Sequence, residues 1–264
     1  MAANSVTTAS DTALYVYCIC RAPRRPRMVR VPRGVPGATP PGLQQVAAAL
    51  WLVTSSVPLD MYGPGNLEPR LRDLDWVADV AVAHEAVNEF VARGKGAVVV
   101  PMKLFTMFSS PERAGADVRA RRSAIDRAIR HIAGCEEWGV RVTRDPTVVA
   151  LAESPGQPQT GAGFLRARKA ARDAAAAGYS GAAAAAEAAI DRLTRLAKDV
   201  HRRPRRPEPG TNPPILEAAF LVRSGSRARF TAEARRQTSA LAKAGADLTL
   251  TGPWPAYNFV GSEA

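Results

Sequence analysis

The sequence is poor in the residues that build metal and disulfide sites. Its 264 residues include three cysteines and three histidines. Cys18 and Cys20 are two residues apart on a predicted strand, and Cys135 is remote in sequence. Zinc sites use Cys-x-x-Cys pairs or histidines at defined spacings, and neither occurs here. We therefore expect buried free thiols, with no metal and no cofactor.

Long apolar runs and export signals are also missing. No apolar stretch approaches the roughly 20 residues that a membrane helix needs. Residues 1–12 lack the basic patch and apolar core of a secretory signal. We therefore expect a cytoplasmic protein with reduced thiols, no membrane association, and a polar, mobile leader over residues 1–12.

No catalytic or phosphate-binding motif is present in the sequence. Gly34-Val-Pro-Gly37 and Gly161-Ala-Gly163 have the wrong flanks for a phosphate loop or a dinucleotide fingerprint. His84 lies on the apolar stripe of a predicted helix, whereas the adjacent Glu85 points elsewhere, because neighbouring helical residues do not face each other. A core or interfacial histidine is therefore favoured over a catalytic one, and we expect no enzyme.

Acidic residues are outnumbered, with 24 Asp and Glu against 36 Lys and Arg and a net charge of +12. This balance permits binding to nucleic acid. Two dense basic runs, residues 21–27 and 201–206, lie in proline-rich stretches without interleaved aromatic residues. Residues 98–105 also lack the glycine–aromatic motif of RNA-binding sheets. Solvated loops are favoured, and a basic nucleic-acid-binding α+β module is the alternative.

Periodic apolar residues predict an alternation of strands and helices. The clearest helix spans residues 76–93, where apolar residues recur at three- and four-residue steps. A second begins at Ser109 or Ser110, and a third covers residues 229–244. Strands are predicted at residues 13–20, 48–57, 97–105, 137–143, 215–222 and 246–251. This order predicts two α+β domains, residues 13–135 and 136–250, each a sheet with helices on one face.

The second domain contains an alanine-rich stretch at residues 163–200 with strong intrinsic helix propensity. Gly178-Tyr-Ser-Gly181 interrupts it, which favours an antiparallel helical hairpin over one long helix. Alanine faces bury little area, so we expect this hairpin to be the least stable helical element. Residues 201–210 follow as a basic, proline-rich connector.

The chain ends in a strand and an extended tail, residues 251–264. Leu248 and Leu250 alternate with polar residues, and Gly252-Pro253 is predicted to end the strand. Pro253 and Pro255 then keep the chain extended. The tail is rich in aromatic residues, and burying each large one contributes roughly 1.5–3 kcal/mol. We therefore expect it to dock on a surface.

Two surfaces are possible for the tail. It either folds back and fastens the two domains together or binds a partner protein. The first is favoured because docking within one chain loses no association entropy. The residues that carry either role are Gly252, Pro253, Trp254, Pro255, Tyr257, Asn258, Phe259 and Val260.

The run Thr251-Gly-Pro-Trp-Pro-Ala-Tyr-Asn-Phe-Val260 resembles the terminal signature of the gas vesicle protein GvpL/GvpF family. One departure is Lys103-Leu-Phe-Thr106, where many members carry Arg-Phe-Gly-Thr, so the glycine turn is missing. Further segments similar to the family occur earlier in the chain, in the order in which the family has them, at residues 14–17, 57–60, 71–76, 83–85, 99–108, 137–142 and 218–222.

The resemblance implies a ferredoxin-like N-terminal domain and a second α+β domain. It also implies a non-enzymatic assembly or minor structural protein of gas vesicles, located at the vesicle, without a cofactor or catalytic residue. The implied partners are the small hydrophobic shell protein and other accessory vesicle proteins. An apolar strand edge or the aromatic tail could pair with such a shell subunit by strand addition.

Overall fold

The computed structural model describes residues 11–145, 160–204 and 214–261. The chain divides into two compact units. The first comprises Met1–Ala133 together with Pro255–Ala264, and the second comprises Gly134–Trp254. Most of the predicted leader lies outside the described residues, and the first strand already begins at Thr12.

The first unit contains one antiparallel sheet with the order β2-β3-β1-β4, and β5 pairs with β1. This is the strand order of a ferredoxin-like sheet. The connection from β1 to β2 is the arginine- and proline-rich loop rather than a helix. The strands are β1 Thr12–Arg21, β2 Gly42–Ala47, β3 Leu50–Pro58, β4 Val98–Pro101 and β5 Met107–Phe108. The helices are α1 Leu59–Tyr62, α2 Pro64–Arg70, α3 Leu74–Ala92, α4 Pro111–Ala120 and α5 Arg122–Ile132.

Helices cover both faces of this sheet. On one face Val80 and Val87 of α3 share a core with Tyr15 of β1. On the other face Gly115 of α4 lies against Gln44 of β2, and α5 contacts β4. We expected helices on one face only. The reason for the difference is that residues 15–20 of β1 are all buried, so both sides of this apolar strand need a cover.

Local signals explain where these elements begin and end. Asp73 caps α3 by accepting a hydrogen bond from the backbone of Trp76 at 3.1 Å. Of the two predicted starts for α4, the structure has Ser110 as the cap and Pro111 at the first helical position. β4 ends at Pro101, which has no amide hydrogen to donate to the sheet.

The second unit contains an antiparallel sheet with the order β7-β8-β6-β9. Its core joins three aromatic rings, with the centroids of Phe220 and Phe230 5.3 Å apart and those of Trp138 and Phe230 6.3 Å apart. The elements are β6 Cys135–Arg144, α6 Gly161–Thr194, β7 Asp199–Arg203, β8 Leu216–Arg223, α7 Arg227–Ala242 and β9 Ala246–Trp254.

Two predicted boundaries in this unit are wrong. The connector predicted at residues 201–210 begins with part of the edge strand β7, and residues 205–210 lie outside the described residues. The last strand does not end at Gly252-Pro253, because β9 continues to Trp254, which pairs with Glu137 after a shift in register. β9 is an edge strand, where a proline can be accommodated because only one side of the strand is paired.

The predicted helical hairpin is also wrong, because α6 is one helix of 34 residues. Gly178 and Gly181 lie inside it. Each glycine lowers the stability of the helix by about 1 kcal/mol relative to alanine. The helix propensity of the alanine-rich flanks and the packing of the C-terminal half together contribute more than this. That half buries Ala182, Ala186 and Leu193 in the core of the second unit. Within residues 11–145, 160–204 and 214–261, none of the helices has the length and apolar character needed to cross a bilayer.

Candidate functional site

The C-terminal residues pack against α3 and α5 in the first unit. Pro255 and Ala256 are buried, and Tyr257–Phe259 form a short 3₁₀ turn. Phe259 is 9% exposed, and its ring centroid lies 6.4 Å from that of His131 on α5. The apolar end of the chain is therefore held by its own protein.

A polar anchor holds Tyr257 on α3. Its hydroxyl accepts a hydrogen bond from Asn88 Nδ2 at 2.7 Å and donates one to the carboxylate of Glu85. Burial, and then the bond to Glu85, raise the pKa of Tyr257 above its ordinary value. The phenol therefore stays protonated and keeps its donor. Glu85 and Asn88 are three residues apart, so both side chains reach the same side of α3.

The structure separates the residues that the sequence grouped in the tail. Gly252, Pro253 and Trp254 belong to β9 of the second unit, whereas the residues from Pro255 onward belong to the first. Trp254 is 39% exposed, which differs from the favoured docking within the chain and leaves the partner-binding alternative as a prediction. Its place on an edge strand explains this exposure. Asn258 and Val260 are half-buried.

Two cavities of the first unit meet at Tyr257. The larger, which we call the groove, has a volume of about 510 Å³. The smaller has a volume of about 280 Å³ and shares Met102, Lys103 and Tyr257 with it. Apolar atoms dominate the wall of the groove, and Glu85 and Lys103 bring one charge of each sign. The residues that line the groove are Ala81, His84, Glu85, Met102, Lys103, Leu104 and Tyr257.

His84 connects two walls of the groove. It is 2% exposed, its Nε2 lies 3.1 Å from the carbonyl oxygen of Met102, and its Nδ1 lies 3.0 Å from the hydroxyl of Tyr15. A carbonyl can only accept, so Nε2 carries the hydrogen and Nδ1 accepts from Tyr15. Burial lowers the pKa of His84 from 6.5 to about 4, so the ring is neutral at pH 7. The prediction of a core histidine is confirmed.

The loop after β4 keeps a left-handed turn without glycine. Phe105, which occupies the glycine position of the family pattern, has a φ of 62°. This conformation costs a non-glycine residue roughly 1–2 kcal/mol. The ring of Phe105 stacks on Trp76 with centroids 5.8 Å apart and planes 20° apart. This contact offsets the backbone cost and fixes the loop that supplies Met102, Lys103 and Leu104 to the groove.

Substitutions of Phe105 should show this compensation. Phe105→Ala loses the stacked ring and keeps the strained backbone, whereas Phe105→Gly loses only the ring. We expect the glycine variant to be more stable by about 1 kcal/mol in denaturant unfolding, the reverse of the usual order. Phe90, half-buried in α3, is the matched control, and there glycine should be less stable than alanine by about 1 kcal/mol. The same order at both positions would contradict this account.

Two further predictions concern the thiols and the basic runs. Cys18 and Cys20 are buried and free, as expected, and burial raises the pKa of Cys20 to about 12. Across the described parts of the chain, no three His, Cys, Asp or Glu side chains cluster closely enough to hold a metal.

In the two basic runs, arginine side chains are paired with carboxylates. Arg21 pairs with Asp126, and Arg202 pairs with Glu187 at 2.6 Å. Binding to nucleic acid stays an untested alternative.

These features define a two-sheet α+β protein with an apolar groove beside its C-terminal residues. The family model for the gas vesicle synthesis protein GvpL/GvpF matches residues 13–261. The chain belongs to this family, which confirms the resemblance seen in the sequence.

Known proteins agree with this assignment. The gas vesicle protein L of Streptomyces sp. (strain CB03234) is 29% identical over 267 residues, covering 96% of this chain and 94% of that protein. The crystal structure of the gas vesicle protein GvpF from Anabaena sp. PCC7120 has a TM-score of 0.65 at 16% identity, covering 95% of this chain and 98% of that one. GvpF from Microcystis aeruginosa gives 0.61 at 14% identity, with coverages of 94% and 99%. Both crystal structures share the fold of this chain.

Proposed function

We propose that this protein is a non-enzymatic assembly or minor structural protein of gas vesicles that binds the hydrophobic shell protein and other accessory vesicle proteins. It would act in the cytoplasm and at the vesicle. Family membership supports the vesicle role. The observation that carries the binding role is the groove, an open and mainly apolar cavity of about 510 Å³ in the first unit.

The groove suits an apolar segment of an unassembled shell subunit. Its volume lies in the range of about 300–1,000 Å³ typical of binding pockets. Burying apolar surface contributes roughly 25 cal/mol per Å², so an apolar segment that fills the groove gains affinity from its side chains. Leu104, 37% exposed, is the large apolar residue of the groove that a partner can reach most directly.

The C-terminal residues would form one wall of the groove. Tyr257 is anchored by Asn88 and Glu85 and also lines the groove, while Phe259 is buried. These contacts favour docking within the chain over an extended arm that binds a partner. The fastening of the two domains by this tail stays a prediction.

The test is co-purification of the tagged protein with the shell subunit. We expect the wild type to capture the subunit and Leu104→Asp to reduce capture at least about tenfold, because a carboxylate in an apolar contact is costly to desolvate. Leu165→Asp is the matched control, since Leu165 is 67% exposed on α6 and should leave capture unchanged.

Two outcomes would contradict the proposal. Absence of capture by the wild type would exclude shell binding. Equal capture by Leu104→Asp and wild type, with equal melting curves, would exclude the groove as the docking site. In cells, deletion of the gene should leave few or no vesicles, and normal vesicle number and shape would rule out an assembly role.

A further inference from the structure

α3 is an acidic helix in a basic protein. The chain has a net charge of +12. The 19 residues of α3, by contrast, include the carboxylates Asp75, Asp79, Glu85 and Glu89 and no lysine or arginine. A helix whose charge is opposite in sign to that of the whole protein can recognise a partner of complementary charge.

An exposed apolar row runs along the same helix. Leu74, Ala78 and Val82 follow one another at steps of four residues, so they lie along one side of α3. Leu74 is 77% and Val82 is 70% exposed, and Ala78 is also exposed. We call these three residues the α3 stripe. Exposed apolar residues rimmed by polar groups are typical of interaction sites.

Exposed carboxylates flank the α3 stripe on one side. Asp75 and Asp79 each follow a stripe residue by one position, which places them along one flank. The neighbouring row on the opposite flank contains Ala81, Glu85 and Glu89, but Glu85 accepts a hydrogen bond from Tyr257 and Glu89 pairs with Arg93 at the end of α3. That row begins at Ala81, and Ala81 and Glu85 also line the groove. The row beside the α3 stripe therefore reaches the groove.

We propose that the α3 stripe is a docking surface for a basic amphipathic helix of another protein. The apolar side of that helix would pack on Leu74 and Val82, and its flanking lysines and arginines would face the exposed carboxylates of Asp75 and Asp79. Amphipathic helices bind in this way through anchors at helical spacing. An anionic membrane or a nucleic acid would be repelled by the same carboxylates. Symmetric pairing of two α3 helices would bring like charges together.

The test uses two synthetic helical peptides with the same apolar leucine and alanine side. One peptide is flanked by lysines and the other by glutamates. Binding to the full-length protein is measured by fluorescence anisotropy. We expect the lysine peptide to bind at least about tenfold more tightly at low salt and to lose most of this advantage at about 0.3 M salt, where screening is strong.

Charge reversal on α3 makes the test specific. Asp75→Lys/Asp79→Lys should shift the preference towards the glutamate peptide, and Asp75→Asn/Asp79→Asn should reduce it without reversal. Asp60→Lys/Glu68→Lys is the matched control, because these exposed residues of α1 and α2 give the same change in net charge. This control should keep most of the preference for lysine.

Three results would overturn the proposal. One is the absence of binding by the lysine peptide, and another is equal binding of the two peptides. The third is an equal loss of preference in the α3 variant and the Asp60/Glu68 control, which would show a response to net charge alone. The peptides contain no shell sequence, so failure of shell capture would leave this result unaffected.

Discussion

Phe259→Ala is expected to lower the free energy of unfolding of the protein by about 3–4 kcal/mol. Phe259 is 9% exposed and packs beside His131, so its removal loses the transfer free energy of the ring and leaves a cavity. Because α5 and the core of the first unit hold the surrounding backbone, the cavity can close only in part. Urea unfolding of the full-length variant measures the effect.

Trp254→Ala is the control for this substitution. Tryptophan is the larger residue, yet Trp254 is 39% exposed on β9, so we expect a loss of only about 1 kcal/mol. A larger loss at Trp254 than at Phe259 would contradict the assignment of Phe259 as the main apolar anchor. The comparison also separates side-chain burial from the general hydrophobicity of the segment.

Truncation after Trp254 leaves β9 complete and tests the two hypotheses for the tail, docking within the chain and binding to a partner. A large fall in melting temperature would support docking within the chain, which the burial of Ala256 and Phe259 favours. An unchanged melting curve with loss of shell capture would instead support a partner-binding tail.

Tyr257→Phe should lower the free energy of unfolding by about 1–3 kcal/mol, since it leaves Asn88 and Glu85 without their shared hydroxyl.

Sequence periodicity predicted the elements with strong apolar patterns. α3 and β6 were identified because their buried residues recur at helical or alternating steps, and β8 because its run is mainly apolar; β8 is buried almost throughout. β2, Gly42–Ala47, was missed because its residues are half-buried or exposed and its two glutamines are adjacent, so no alternation marks it. The sequence does not reveal the continuity of α6, because this depends on the helix propensity of the alanines outweighing the cost of Gly178 and Gly181.

The groove could not be predicted because it is a product of tertiary structure. Its walls come from α3, from the loop after β4 and from Tyr257, about 150 residues further along the chain. Phe105 shows the same limit, because only the structure reveals that its ring packs on Trp76 and supports a turn that usually needs glycine. The charge of α3, in contrast, was visible in the sequence as four carboxylates without a lysine or arginine.

Acidification is expected to destabilise the protein through His84. The pKa of His84 is lowered from 6.5 to about 4 by burial, so between these values the unfolded chain binds more protons than the folded one. The contribution of His84 is therefore complete above pH 6.5 and is lost as the pH falls towards 4. The loss amounts to about 3 kcal/mol, from 1.36 kcal/mol for each unit of pKa. A protonated Nδ1 could also no longer accept from Tyr15.

His84→Gln isolates this contribution from that of the carboxylates, which also titrate in this range. A glutamine amide can still donate to Met102 but does not titrate, so the variant should lose less stability between pH 7 and pH 4 than the wild type. The expected difference in urea unfolding is about 3 kcal/mol. His201→Gln, at an exposed position of β7, is the control for the exchange of a histidine for a glutamine. If the free energy of unfolding of wild type and His84→Gln changed equally with pH, the neutral, buried state of His84 would be contradicted. The contact of His84 on α3 with Met102 in the loop of the groove would then be contradicted as well.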